Sequence, residues 1–212
     1  MLTLGVACYR RYDLLLDMIR SAEEGARRPD RYYLIDNGGI ANSDVLPRNM
    51  EIFRPGRNIG VAAAVNQLFR ANDDLTVWAN DDVLFERATL GELESAALAD
   101  PARLFLVPEH NAGSAFTVFL ARKALFEKVG WFDECFYPAY FEDNDFGYRM
   151  QLAGIERHYV AAKYYHHQSA TIQTFSHEEM QQHHASFDAN KHRYRMKWGG
   201  EPGREVWKEP KA

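Results

Sequence analysis

The sequence has few cysteines, no long apolar run and no excess of basic residues. Only Cys8 and Cys135 occur among its 212 residues, too few and too far apart for a disulfide framework or a cysteine zinc site. No apolar segment reaches the roughly 18 residues that a membrane-spanning helix needs. Charges begin at Arg10 and Arg11, too early for a secretory signal peptide. These features predict a cytoplasmic protein without a transmembrane segment.

Charge and composition narrow the class of protein further. A formal net charge of -5 at pH 7 argues against binding nucleic acid by charge alone, because that mode needs a surplus of Lys and Arg. The 46% of hydrophobic and 26% of charged residues are typical of a globular chain. This length suits one domain, which we place at residues 1–198, followed by an irregular arm rich in Gly and Pro at 199–212.

Strand and helix patterns alternate over the first hundred residues. Apolar runs predict strands at 2–8, 32–35, 51–53 and 75–79, and helical spacing predicts helices after the first, third and fourth of them. Such alternation implies an α/β fold with a mainly parallel central sheet and helices on both faces, in which ligands bind at the carboxyl ends of the strands. Residues 1–100 are therefore predicted to bind a nucleotide.

The second half is less regular. The pattern predicts strands at 114–120 and 159–165 and helices at 122–129 and 143–153. A long polar helix is predicted to start at Ser176, since Ser176 and Glu179 have the spacing of a capping box. We assign 101–175 to an acceptor-binding and catalytic half and 176–198 to a C-terminal helix.

Acidic residues occur in two places that favour chemistry. Asn80, Asp81 and Asp82 follow the fourth predicted strand. A solvated turn explains them, and a binding site for a divalent cation and a diphosphate is the alternative. Glu142 and Asp143 begin a predicted helix. Helix capping accounts for them, and so does a general base beside a sugar-sized cleft lined by the aromatic residues that precede them.

His166 and His167 end the last predicted strand. A strand-end histidine is usually an ordinary hydrogen-bonded residue. Several more histidines follow in the last quarter of the chain, so a zinc cluster is a second interpretation, but they lack the helical HExxH arrangement.

Taken in order, these segments resemble the family-2 inverting glycosyltransferases of the GT-A fold, from about residue 3 to about residue 175. VACYRR resembles the family's V-x-T-Y-N-R, with Cys8 and Arg10 in place of Thr and Asn. LIDNGG resembles its base-binding segment, and RNIGVAAAVN resembles its N-x-G-x-A-x-A-x-N run closely. The resemblance implies nucleotide-sugar contacts at Ala7, Tyr9, Arg11, Asp36, Asn58, Gly60, Ala63, Asn66, Asn80 and Asp81.

The resemblance also implies a metal and a base. NDD resembles the variant DxD motif, so Asp82 would bind the metal, together with His166 or the adjacent His167. An imidazole ligand favours Mn²⁺ over Mg²⁺, although both ions fit. The segment that ends in FEDNDFGYR resembles the family's acceptor-side segment and implies that Asp143 is the base. Its acceptor-side residues would be Trp131, Phe141 and Glu142.

The implied activity is a hexosyltransferase reaction. A sugar would pass from a UDP-, GDP- or dTDP-sugar to a hydroxyl of a glycan or another acceptor, with nucleic acid among the acceptors left open, as is the oligomeric state. Two alternatives stand beside it. The departures at Cys8 and Arg10 favour a nucleotide-sugar-binding module with a decayed active site. A sugar nucleotidyltransferase would need a glycine-rich phosphate loop, which CYRRYD lacks.

Overall fold

A computed structural model describes residues 1–72, 75–109, 114–168 and 170–210. None of the helices in these ranges combines the length and the apolar character of a membrane span. The elements are β1 (Leu2–Cys8), α1 (Tyr12–Glu23), β2 (Arg31–Asp36), β3 (Met50–Phe53), α2 (Gly60–Ala71), β4 (Leu75–Asn80), β5 (Val83–Phe85), α3 (Thr89–Ala99), β6 (Phe105–Pro108), β7 (Val118–Ala121), α4 (Lys123–Val129), α5 (Glu142–Leu152), β8 (His158–Val160), β9 (Tyr164–His166) and α6 (His177–Trp198).

The central sheet has seven strands in the order β3-β2-β1-β4-β7-β6-β8. Strands β3, β2, β1 and β4 run parallel to one another, whereas β7 is antiparallel to both β4 and β6. The carboxyl ends of β1, β2 and β4 therefore meet at one edge of the sheet. This arrangement confirms the predicted α/β fold with a mainly parallel sheet.

Helices cover both faces of this sheet. Alternate strand residues point to opposite sides, so Leu34 of β2 belongs to one core cluster and Tyr33 to the other. Helices α1 and α3 contribute to the first cluster, and α2, α4 and α5 contribute to the second. A smaller cluster of Phe136, Phe141, Tyr194 and Trp198 involves the last turns of α6, which anchors that helix to the segment before α5.

Several predicted elements differ from the observed ones. The strand predicted at 114–120 begins only at 118, and the strand predicted at 159–165 is divided between β8 and β9, which belong to different sheets. Strands β5 and β6, of three and four residues, were not predicted. The helix predicted after Ser176 is confirmed, with both hydrogen bonds of its capping box present.

Gly60 fixes the position of the first turn of α2. Its φ is +80°, a conformation that glycine adopts readily and L-residues avoid. The next residue, Val61, donates its backbone N–H to the Pro138 carbonyl at 2.9 Å, and a Cβ at Gly60 would lie 2.8 Å from that carbonyl oxygen. The helix can therefore approach the 137–138 segment only because residue 60 has no side chain.

We expect Gly60→Ala to lower the free energy of unfolding more than Gly154→Ala does. Gly154 has a similar φ of +68° but nothing within 4 Å of its Cβ position, so its substitution isolates the backbone strain of roughly 1–2 kcal/mol. Crowding against Pro138 should add about 1–3 kcal/mol in Gly60→Ala. Urea denaturation of both variants measures the difference, and equal losses would refute the close contact.

Candidate active site

A cavity of about 620 Å³ opens at the carboxyl edge of the parallel strands. Ala7 is the last residue but one of β1, Asn37 follows β2, and Asn80 ends β4, and all three line the cavity. This is the edge at which open α/β sheets bind ligands. Most of the predicted site residues line it: Ala7, Tyr9, Asn58, Gly60, Asn80, Asp81, Asp82, Glu142, Asp143 and His166.

The acidic turn after β4 meets a histidine through a short two-stranded sheet. Strand β5 pairs antiparallel with β9 so that Val83 lies opposite His166, which brings His166 beside Asp82. The Nε2 atom of His166 lies 2.9 Å from Oδ1 of Asp82, and these side chains are only 12% and 9% exposed. His167 is exposed and donates its backbone N–H to the Asp82 carbonyl, so the structure places His166, and not its neighbour, in the cavity.

The pair of Asp82 and His166 fits a divalent cation. Nδ1 of His166 is buried and has no hydrogen-bond partner among the described residues. Nε2 lies at hydrogen-bond distance from the Asp82 carboxylate, so a cation bound between these two groups would replace that hydrogen bond. A carboxylate oxygen and an imidazole nitrogen suit Mn²⁺. No group of three or more potential ligands occurs in the described ranges. Water and substrate phosphates would complete the coordination, as is usual for such cations.

Asp81 is the second carboxylate of this turn. Burial raises its pKa to about 7, and the charge of Asp82 raises it as well, whereas a hydrogen bond from the Cys8 thiol lowers it in part. The charged form of Asp81 is thus unfavourable in the protein alone. A cation held next to it would reverse this balance, because an opposite charge stabilises the carboxylate.

Two residues with left-handed backbone conformations aim the other acidic pair into the cavity. Tyr140 has a φ of 76° and Phe141 a φ of 70°, a region that bulky residues rarely adopt. Helix α5 then begins at Glu142. Asp143 accepts a hydrogen bond of 3.0 Å from the Ser114 hydroxyl, which orients its carboxylate at the cavity wall.

Glu142 is buried without a partner for one of its oxygens. Its Oε2 atom has no hydrogen-bond partner among the described residues. Burial, with a smaller contribution from the charge of Asp143, raises the pKa of Glu142 to about 8. A carboxyl group whose pKa is raised in this way, next to the half-buried Asp143, is typical of functional sites.

A fully buried carboxylate holds α5 in place. Asp145 has no exposed surface, and its oxygens lie 2.9 Å from the Arg149 guanidinium, 2.7 Å from the Lys197 ammonium and 2.8 Å from the Trp198 indole nitrogen. Lys197 also pairs with Asp133 at 2.8 Å. These contacts join the first turn of α5, which contains Asp143, to the end of α6.

The N-terminal half of α6 forms one wall of the cavity. Glu179 accepts hydrogen bonds from both terminal nitrogens of Arg10, and the Arg10 guanidinium lies 5.3 Å from the centre of the Phe175 ring. The lining residues of the helix are Glu179, Gln182, His183 and Ser186, whose spacing puts them on one helical face. This wall was not predicted, because its face is polar and leaves no apolar period in the sequence.

Asp36 does not line the cavity. Its buried carboxylate accepts hydrogen bonds from the backbone of Ile40 at 3.1 Å and of Ala41 at 3.0 Å, and from Arg54 at 3.2 Å. These bonds close the loop after β2 and leave its neighbour Asn37 to face the cavity. The base-binding role of Asp36 stays a prediction, now with a structural role beside it.

The remaining predicted residues also lie outside the lining of the large cavity, as far as the structure describes it. Asn66 is buried and its amide bonds both backbone groups of Phe132 at 2.9 Å, so it joins α2 to the segment after α4. The half-buried Trp131 ring stacks on the core residue Phe126 at 4.9 Å between ring centres. The residues in this group are Arg11, Ala63, Asn66, Trp131 and Phe141.

Solved structures share this fold, whereas no protein-family model and no curated protein matches the sequence. A mannosyltransferase from Pyrobaculum calidifontis, in complex with GDP-Man and Mn²⁺, matches with a TM-score of 0.59 and 14% identity. The match covers 75% of this chain and 55% of that one, so this chain spans about half of the mannosyltransferase.

Residues 1–349 of TarS from S. aureus match with a TM-score of 0.63 and 12% identity, over 89% of this chain and 71% of that chain. The same TarS fragment in complex with UDP-GlcNAc matches with a TM-score of 0.62 and 12% identity, over 82% of this chain and 61% of that one. The chain thus has the GT-A-like fold of nucleotide-sugar glycosyltransferases.

We expect Glu142→Gln to stabilise the fold increasingly as the pH rises. A group whose folded pKa is about 8 instead of 4.5 contributes stability that is fully present below about pH 4.5 and is lost as the pH rises through about 8. Glutamine does not ionise, so the variant does not lose this stability as the pH rises. The difference in free energy of unfolding between variant and parent, from urea titrations, should be small at pH 4.5 and grow up to about pH 8.

The matched control is Asp188→Asn, which removes an exposed carboxylate from α6. The free energy of unfolding of this variant should differ from the parent's by an amount that does not grow between pH 4.5 and 8. A difference for Glu142→Gln that stays constant between pH 4.5 and 8 would contradict the buried, protonated carboxyl group.

Proposed function

We propose that the chain is a metal-dependent, inverting glycosyltransferase that uses a nucleotide-diphosphate sugar as donor. The observation behind this is the convergence of a metal-binding pair and a candidate base on one cavity. Asp82 lies in the turn after β4, His166 ends β9, Asp143 lies at the start of α5, and all three line the same cavity. The complexes of fold relatives with GDP-Man and Mn²⁺ and with UDP-GlcNAc support it.

In this proposal the donor lies along the strand ends. The backbone at Ala7, the Tyr9 ring and the Asn37 amide offer contacts to a base and a ribose at the end of β1 and β2. The diphosphate lies towards Asp82 and His166, which would hold Mn²⁺ or Mg²⁺. When bound, the ion supplies positive charge that stabilises the departing diphosphate.

Asp143 is the proposed base in a single in-line displacement. Its carboxylate accepts the proton of the acceptor hydroxyl while the hydroxyl oxygen forms a bond to the anomeric carbon. The bond from that carbon to the diphosphate oxygen breaks, and the nucleoside diphosphate leaves with the bonding electrons. The Ser114 hydroxyl holds the carboxylate in orientation. Alignment of donor and acceptor contributes up to roughly 7–11 kcal/mol to lowering the barrier.

The first test is release of nucleoside diphosphate from a panel of UDP-, GDP- and dTDP-sugars with Mn²⁺, Mg²⁺ or EDTA, alongside calorimetry of donor binding. Release from one donor that depends on the metal supports the transferase and identifies the sugar. Metal-dependent binding without release in the presence of acceptors would favour a binding module with a decayed site. Absence of metal-dependent nucleotide binding would refute the proposal.

We expect His166→Gln to weaken nucleotide binding in the presence of Mn²⁺ by about tenfold or more. Loss of a residue that only supports a metal ligand weakens metal binding by about 10- to 100-fold, and loss of a ligand itself should cost at least as much. His167→Gln is the matched control, since that side chain is exposed and its ring packs against Tyr165. Calorimetry with UDP and GDP, with and without EDTA, measures both. Equal affinities of the two variants would exclude His166 as a ligand.

We expect Asp143→Asn to retain donor affinity within about twofold of the parent and to lose about 100-fold or more in turnover, since positioned proton transfer contributes roughly 10²–10⁴ in rate. Asp188→Asn, which removes an exposed carboxylate elsewhere, should retain both. Initial rates and calorimetry separate the two effects. Turnover close to the parent's in Asp143→Asn would rule out this residue as the base.

A further inference from the structure

A second, smaller cavity lies on the other side of Asp143. Its volume is about 250 Å³, and Asp143, Ser114 and Phe116 line both cavities. The proposed base therefore borders two spaces, of which the larger contains the metal pair. The smaller space adds Asn144 and Arg157 to its wall. Arg157 supplies the only positive charge among its described lining residues, where Asp143 supplies the negative one.

Arg157 has no partner for its charge in the described ranges. It forms neither an ion pair nor a side-chain hydrogen bond with any described residue, and its guanidinium lies 5.4 Å from the centre of the Phe116 ring. The face of the ring supports the cation but uses none of its N–H donors. No described residue therefore uses those donors, which can bind a group that enters the cavity.

A glycine admits the Arg157 head group to this position. A Cβ at Gly147 would lie 2.5 Å from Nη2 of Arg157, so a larger residue would displace the guanidinium. Gly147 follows Asp143 by four residues in α5, and residues at that spacing are neighbours on one helical face, about 5–6 Å apart at their Cβ atoms. The unpaired guanidinium thus lies about one helical turn from the proposed base.

We propose that the smaller cavity binds an anionic group of the acceptor, a carboxylate or a phosphate, through Arg157. This rests on the proposed function, because it is the acceptor whose hydroxyl must meet Asp143. The planar fork of guanidinium donors matches the oxygens of either anion, and the Asn144 amide adds donors at the same wall. The Arg157 charge also offsets the repulsion between the bound anion and Asp143, so the acceptor is held by its charge while its hydroxyl faces the base.

The test compares acceptors that differ at one position only. Methyl glycosides of glucose, galactose and mannose are each used with a hydroxyl, a carboxylate or a phosphate at C6, at saturating donor and Mn²⁺. Initial rates of transfer give kcat/KM for each compound. We expect an anionic member of at least one series to exceed its neutral counterpart by about tenfold or more, the usual worth of a charge-assisted hydrogen-bonded contact. The carboxylate and phosphate arms show which anion is preferred.

Three variants assign that preference to the cavity. Arg157→Gln removes the charge and should reduce the preference to less than about twofold, with kcat/KM for neutral acceptors unchanged. Gly147→Ala keeps the charge but displaces the Arg157 head group, so it should lower the preference for anionic acceptors. The fold should stay intact, because alanine is a better helix former than glycine. Arg157→Lys keeps the charge without the fork and should retain part of the preference.

The outcomes separate this inference from the proposed function. If sugar is transferred at equal rates to neutral and to anionic acceptors, the anion site is refuted, but the proposed transferase activity is not. A preference for anions that survives in Arg157→Gln would likewise overturn the assignment to Arg157. Absence of metal-dependent donor binding in the parent would overturn the proposed function and this inference with it. Donor binding by Arg157→Gln at the parent's affinity verifies that the variant is folded.

Discussion

The position of the candidate site depends on one buried carboxylate, Asp145. It lies two residues beyond Asp143 and is surrounded by Arg149, Lys197 and the Trp198 indole. Breaking such a buried group of charges leaves uncompensated ions and costs roughly 3–5 kcal/mol. The first turn of α5 is therefore fixed to α6, and the unusual backbone at Tyr140 and Phe141 persists because packing on both sides of it is fixed as well.

The charge distribution of the large cavity is unbalanced without a ligand. Among the lining residues that the structure describes, five carry carboxyl groups and one, Arg10, carries a guanidinium, which is already paired with Glu179. Burial raises the pKa of Asp81 and of Glu142, and the charge of a neighbouring carboxylate raises each of them further. A divalent cation near Asp82 would relieve part of this excess of negative charge, so metal and donor binding would stabilise a site that the fold alone holds at an electrostatic cost.

The sequence predicted the sheet and much of the cavity, because both follow from local patterns. Apolar runs gave the parallel strands, and polar residues directly after those strands must lie at the sheet edge, as Asn80 to Asp82 do. The α6 wall, the Arg10 to Glu179 pair and the role of Arg157 depend on polar contacts between distant segments, which no periodicity reports. Asp36 and Asn66 are motif residues whose side chains bond the protein's own backbone and lie outside the lining of the cavity as the structure describes it. Their contacts with a nucleotide sugar stay predictions.

The cavity wall formed by α6 has a consequence for the order of folding. Arg10 and Glu179 are 169 residues apart in the chain, and contacts of such long separation form only after the entropy of closing the intervening loop has been overcome. During synthesis the parallel strands leave the ribosome well before α6 does. We therefore expect a nascent chain with its sheet in place to have an open, three-sided groove, which becomes a binding site only when the helix docks.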